Sequence, residues 1–406
     1  MRVLIAGAGP GGSLAAVLLA RQGHDVVLVD RSEFPRDKAC GDVIGPRALA
    51  VLKQADITLP AHAHRIGSMV LGFEAGQITL PARPGLGHGG YGVTIRRREF
   101  DDLLHREAER AGATTRVGVV TKVTRAGRRL SVSVGSESED YELVVGADGA
   151  NSTVARSMGL MNADRALMGF ALRRHVLGAT REDRVDLFLE QGDTALPGYG
   201  WVFDQGDGRL NLGIGVGIGT QRTRAKGARE LLERYQRRLQ AQGIVTITGS
   251  PSEMGGWLKM GLIGQRVADD GVFLVGDAAG LVNPLQGEGI AAALLSATLC
   301  ASAIDRYGAN GAGAYRSEIQ DHFGAFLSTG YLAQRIALSH PRVARIAMRT
   351  LMVAGRYDRI ASAWGLFWND LTEYSGSQTG SLAARTMVHV GAAITQGVLG
   401  SPEWLG

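Results

Sequence analysis

Cysteine is nearly absent from this chain: Cys40 and Cys300 are its only two in 406 residues. Two thiols cannot build a multi-bridge scaffold, so a reducing, cytoplasmic setting is the expectation. Proline is scarce too, with 11 residues beside 58 glycines, which speaks against a disordered chain. No Lys/Arg run is long enough for a nucleic-acid arm, because the formal charge of +5 comes from scattered arginines. The basic excess reads as a solvated surface that also favours anionic cofactors or an anionic membrane face. Long hydrophobic runs are missing as well: beyond the N-terminal segment the longest is Ile290 to Ile304, short of the roughly 18–20 residues that span a bilayer. It reads as a buried helix. The histidines, including His62 and His64, show no metal-ligand spacing, and neither a G-x-S-x-G elbow nor a P-loop lysine occurs. No metal is therefore expected, and no internal repeat is evident. A hydrophobic share of 45% against 20% charged is that of an ordinary folded enzyme.

What is present begins at the N-terminus. Apolar RVLIAG, a Gly-rich turn, the helical run SLAAVLLARQG and apolar DVVLVD read as a βαβ unit with parallel strands. The glycine pattern in this stretch argues against a signal peptide. Gly7, Gly9 and Gly12 fit G-x-G-x-x-G, where glycine permits a tight turn and the helix N-terminus offers N–H groups to a pyrophosphate. Asp30 closes the second strand eighteen residues after Gly12, near the ~20-residue offset of a ribose-binding acid, with Arg31 beside it as a further cofactor contact. A second fit, Gly85 to Gly90, leads into no helix and reads as a loop, so one resident dinucleotide is expected. Two later strands also end in Asp beside Gly, at GADG around Asp148 and GDAAG around Asp277. Carboxylates there suit sugar or ribitol hydroxyls, although Asp148 and Asp277 also suit plain turn caps. Gly287, Gly289 and Ile290 stand where backbone N–H groups would meet a ring carbonyl that gains charge on reduction, as a flavin requires.

Between these motifs the texture becomes strand-like, in FALRRHVLG, DRVDLFLEQ and the pair WVFDQ and LNLGIGV, which reads as a hairpin across Asp-Gly. SMVLGFEAG and QITLPA are expected in the same sheet. The predicted organisation is α/β: a Rossmann-like domain from 1–60, 95–165 and 266–305, an inserted antiparallel β-sheet substrate domain from 61–94 and 166–265, and a helical C-terminal region over 306–406.

FPRDKACGD at 34–42, PGYGWVF at 197–203 and GDAAGLVNPLQGEGI at 276–290 carry a more specific resemblance. The chain resembles the geranylgeranyl reductase family, within the FAD-dependent superfamily built like the aromatic-ring hydroxylases. The resemblance implies FAD pyrophosphate at Gly7, Gly9 and Gly12, ribose at Asp30, a phosphate or adenine contact from Arg97 and ribitol at Asp277. It also implies the flavin ring near Gly287, Gly289 and Ile290, with Cys40 and Gly41 running alongside. Tyr199 and Trp201 would line a pocket for a long isoprenoid chain, since residues two apart on a strand face one side. Asp204-Gln205 replaces that family's usual Pro-Lys. The halogenase signature W-x-W-x-I-P is missing, which disfavours halogenation despite a similar fold.

The chemistry expected is hydride transfer from reduced FAD to a carbon–carbon double bond of a lipophilic substrate, with NAD(P)H or another reductant as transient donor. A proton must also be supplied, and Cys40 and Tyr199 are the candidate catalytic residues. A thiol of ordinary pKa ~8.5 is mostly protonated at neutral pH. The alternatives are a monooxygenase working through a flavin hydroperoxide, and a flavoprotein that only binds lipid. Peripheral association with the inner membrane face belongs with either, because VARIAMRTLMVAG and ASAWGLFWNDL combine Arg, Leu and Trp as interfacial helices do.

Overall fold

The computed structural model describes residues 1–354 apart from 75, 82–90, 162–166, 189–197, 220–226, 263–265 and 285–286. Its first layer is a six-stranded sheet built on β1 (Arg2–Ala6) and β2 (Asp25–Asp30). In spatial order the strands are Ala268–Asp269, Val272–Leu274, Leu143–Gly146, β1, β2 and Thr114–Val117. All neighbours run parallel except the first pair. A parallel sheet is covered on both faces, and accordingly Val3, Leu4, Ile5 and Ala6 are all fully buried, a continuous apolar run with no alternation. Helix α1 (Pro10–Arg21) begins with proline at its first turn, where the missing N–H costs no hydrogen bond.

The second layer is an eight-stranded sheet centred on Leu167–Thr180, which pairs with Arg209–Gly219 on one side and with Ser252–Met260 and Val245–Ile247 on the other. Gly198–Asp204 follows next to Arg209–Gly219, then Arg184–Phe188, Ser68–Phe73 and Gly76–Pro81. The expected hairpin is present: Gly198–Asp204 pairs antiparallel with Arg209–Gly219, and Gly206 and Gly208 supply positive φ at 75° each in the turn. Ser68–Phe73 and Gly76–Pro81 do join this sheet, through one parallel pairing with Arg184–Phe188, so it is not antiparallel throughout.

Alternation divides this sheet's two faces. Leu212, Ile214 and Val202 point toward the Ala228–Ala241 helix, where Leu232, Tyr235 and Leu239 complete a core. Tyr199, Trp201 and Phe203 point the other way. The helix Ile290–Tyr307 is buried as expected, with Leu294, Ala297, Cys300 and Ile304 fully enclosed. It continues through further helical turns to Gly324, a run of 35 residues that is long and apolar enough to cross a membrane and is mostly packed inside the protein. The 306–354 segment is helical, ending in Pro341–Ala354. Gly85–Gly90 and ASAWGLFWNDL lie outside the described residues.

Candidate flavin and substrate site

Carboxyl ends of adjacent parallel strands are where α/β sheets bind ligands. Here three such ends stand side by side: the turn after β1, Asp148 after Leu143–Gly146, and Gly276–Ala279 after Val272–Leu274. Gly7 has φ +97°, and a side chain on it would start 2.4 Å from the Ala147 carbonyl oxygen, so the first two motifs touch through backbone alone. A Cβ on Gly12 would sit 1.8 Å from the Gly7 carbonyl, which closes the turn to any other residue. Gly9, the N-cap of α1, has no capping side chain, and a Cβ built there would meet only Arg36, at 3.9 Å, among the described residues, leaving the helix N-terminus open to an anion.

Asp30 is placed at the tip of β2, where its Oδ2 accepts the Ala8 N–H at 2.8 Å and its Oδ1 accepts that of Ser32 at 3.0 Å. It therefore holds the glycine turn before any ribose is bound. A cleft of about 360 Å³ opens beside it, lined by Ser32, Phe34, His105 and Val117. Arg36 bridges Asp30 and Asp101, while the neighbouring Arg31 side is exposed. Arg97, expected at a phosphate or the adenine, is buried: its guanidinium forms a two-pronged pair with Asp101 at 2.7 and 2.8 Å and faces the Cys40 thiol. Breaking such a buried pair on one side costs about 3–5 kcal/mol.

Asp148 fills the turn-cap role directly and leaves one oxygen for a ligand. Its Oδ2 accepts the Thr153 and Val154 N–H groups at 2.6 and 3.1 Å, capping a short helix, while its Oδ1 is buried with no protein partner among the described residues. Asp277, half-buried, has its Oδ1 3.4 Å from where a Gly289 side chain would begin. Behind both aspartates stands Lys259, fully buried on the Ser252–Met260 strand, its Nζ donating to the Ala278 carbonyl at 2.8 Å. Burial pushes this ammonium down to about 8, against the pull of Asp148 and Asp277. Sequence patterning did not single out Lys259; its only trace is a lysine inside the apolar strand end GWLKMG.

Ahead of the long Ile290–Tyr307 helix the Gly287 N–H is used by the Asn283 carbonyl at 2.8 Å, and Glu288 Oε1 accepts the Ala291 N–H at 2.7 Å. Gly289 and Ile290 remain as the first residues of the long helix, with no capping side chain on Gly289. Gly287 has φ +67°, and a Cβ there would lie 2.2 Å from the Tyr199 hydroxyl. The phenol thus abuts the segment expected to hold the flavin ring.

Tyr199 and Trp201 do share a face, 5.7 Å apart between ring centroids. Their rings lie over the next strand, where Gly215 and Gly213 leave room: side chains there would start 2.8 Å from Tyr199 and 2.2 Å from Trp201. Segment 37–42 runs across this face, with Asp37 on Arg173, Ala39 against Gly256 and Gly41 against Phe203. Cys40 is partly exposed on it. Desolvation raises its thiol pKa more than Arg97 and the Asp42 N–H lower it, and burial with the Cys40 and Glu288 charges raises the Tyr199 phenol further. Both groups hold their protons at neutral pH.

Among the described residues no cluster could hold a metal ion. The open N-terminus of α1, the unpartnered Asp148 oxygen and the side-chain-free contacts at Gly7 and Gly287 fit an extended dinucleotide running from Asp30 to Tyr199. Fold and site together define an FAD-dependent oxidoreductase. An FAD binding domain family model matches residues 1–305. The chain is 35% identical over 349 residues to a menaquinone reductase of Mycobacterium tuberculosis, covering 83% of each protein. It is 31% identical over 344 residues to digeranylgeranylglycerophospholipid reductase 2 of Methanosphaera stadtmanae, covering 79% of this chain and 84% of the relative. A solved geranylgeranyl bacteriochlorophyll reductase-like protein of Thermoplasma acidophilum shares the fold, with a TM-score of 0.73, 21% identity and 98% of each chain covered. The chain belongs to the geranylgeranyl reductase family of FAD-dependent oxidoreductases.

Proposed function

We propose that this protein reduces a carbon–carbon double bond in an isoprenoid or prenylated lipid, taking electrons from NAD(P)H or another reductant. The observation that carries the reading is the position of the Tyr199 hydroxyl against Gly287, with the Cys40 segment crossing the same aromatic face. Bound FAD supplies the hydride. The chain's own part is to hold a neutral phenol and a neutral thiol beside the reacting carbon, either of which can deliver the accompanying proton. Tyr199, Trp201, Phe203 and Met69 form the dry wall an isoprenoid chain requires. The names of both relatives reported above specify reductases, one of menaquinone and one of a digeranylgeranyl lipid. Anaerobic photoreduction of the purified protein, followed by mixing with menaquinone or a geranylgeranyl lipid, tests this. Mass spectrometry should find two hydrogens gained per flavin oxidised. A strict need for oxygen with gain of one oxygen atom makes the protein a monooxygenase instead, and flavin that stays reduced with lipid bound makes it a binding protein.

The same reading puts the protein on the cytoplasmic face of a membrane, through the helix Pro341–Ala354. Its inner side, Ala344, Met348 and Met352, packs on Leu71, Phe73 and Ile78 at the edge of the substrate sheet. Val343, Ile346 and Val353 stand out on the opposite side at 56, 66 and 60% exposure, and the helix carries three arginines and no acid.

A further inference from the structure

One buried polar network is used by nothing described so far. Asn211, fully enclosed on the Arg209–Gly219 strand, accepts the Trp201 indole N–H on its Oδ1 at 2.8 Å. Its Nδ2 donates to the Cys40 carbonyl at 2.8 Å and to Asp42 Oδ2 at 2.7 Å. The same Asp42 oxygen meets His175 Nε2 at 2.5 Å, and Asp42 Oδ1 accepts the Arg97 backbone N–H at 3.3 Å. Asp42 is itself fully buried, with φ +63°, a backbone conformation that its short polar side chain tolerates. Sheet register makes this possible: His175 and Asn211 are cross-strand partners, as are Asn211 and Phe203, so all three project onto the face over which the Cys40 segment passes. A carboxylate at 0% exposure is costly unless fully hydrogen-bonded, and here three donors satisfy it.

We propose that Asn211 and Asp42, backed by His175, are positioning residues: they lock the Cys40 segment to the Trp201 strand, so that thiol, Arg97 and substrate wall keep one fixed arrangement. Asn211 is the hub because one side chain binds the wall through its oxygen and the segment through its nitrogen. Loss of either function frees the segment to slide over the aromatic rings. The inference rests on the reductase reading only for the use to which the thiol is put.

The test is alkylation of Cys40 by iodoacetamide in the flavin-loaded protein, followed against pH; the only other thiol, Cys300, is fully buried. Asn211→Leu should raise the alkylation rate by about fivefold or more, since thiolate fraction and access set that rate. Asp42→Asn keeps a residue that tolerates positive φ and serves if the Asn211 variant does not fold. It removes a negative charge beside the thiol and should move the midpoint of the alkylation profile to lower pH, which a merely structural loss of packing elsewhere would not do. If folded Asn211→Leu and Asp42→Asn both keep the wild-type rate and midpoint, the proposal is overturned. Alkylation is read without substrate, so a failed reduction assay leaves this result standing, and an unchanged alkylation defeats the network whatever that assay shows.

Discussion

Lys259 carries a cost that depends on pH. Its ammonium is buried, and burial pushes its pKa from the ordinary 10.5 down to about 8 in the folded chain. Below pH 8 folded and unfolded states both bind the proton, and the folded state bears the full penalty. Between about 8 and 10.5 the unfolded state binds more protons, so stability rises with pH across that window. The shift corresponds to a penalty on the order of 3 kcal/mol at neutral pH. Lys259→Met, similar in length and apolar, should therefore gain on the wild type most at pH 7 and least near pH 10, as read by urea unfolding at each pH. A stability difference that stays constant over this range contradicts a depressed lysine. The lysine is retained at such a cost where it stands behind Asp148 and Asp277, and flavin retention after gel filtration should fall in the same variant if the ammonium helps hold the cofactor's anionic end.

At the scale of elements, the aromatic strand depends on its neighbour having no side chains. Gly213→Ala would set a methyl 2.2 Å from the Trp201 ring. The ring must swing away, and overpacking of this kind costs about 1–3 kcal/mol. The expected outcome is a modest loss of melting temperature together with a several-fold rise in KM for the lipid, larger than the change in kcat. An unaltered KM would remove Trp201 from the substrate wall. The pairing itself was legible beforehand, because Asp-Gly between two alternating segments fixes a hairpin, and the three Gly/Asp strand ends were legible because turn chemistry is local. The polar network was not. Asp42 and Asn211 are 169 residues apart, and whether a buried asparagine faces its own core or another element depends on register, which a single sequence does not display. Arg97 illustrates the same limit. The family resemblance implies a phosphate or adenine contact for it, and nothing local in the sequence displays that the fold also sets its guanidinium on Asp101 one helical turn away and beside Cys40.

For the whole molecule, the region around Asp30 and the region around the Pro341–Ala354 helix differ in character. Asp30, Arg36 and the cleft beside them form a polar, charged region. A second region, apolar and packed as core, runs from Tyr199 through Val185, Leu71 and Ile78 to the inner side of the Pro341–Ala354 helix. Glu74 pairs with Arg345 and Arg349, holding the helix against the sheet while its apolar outer stripe stays exposed. Ile346→Asp puts a charge in the middle of that stripe without touching the packed side. It should abolish flotation with vesicles containing anionic lipid while leaving flavin content and melting temperature within experimental error of the wild type. High salt should weaken wild-type flotation only in part, because both the arginines and the apolar stripe contribute. If Ile346→Asp floats as the wild type does, the stripe is not the membrane contact. If the wild type sediments as a dimer that the same substitution dissociates, the stripe is covered by a second copy of the chain.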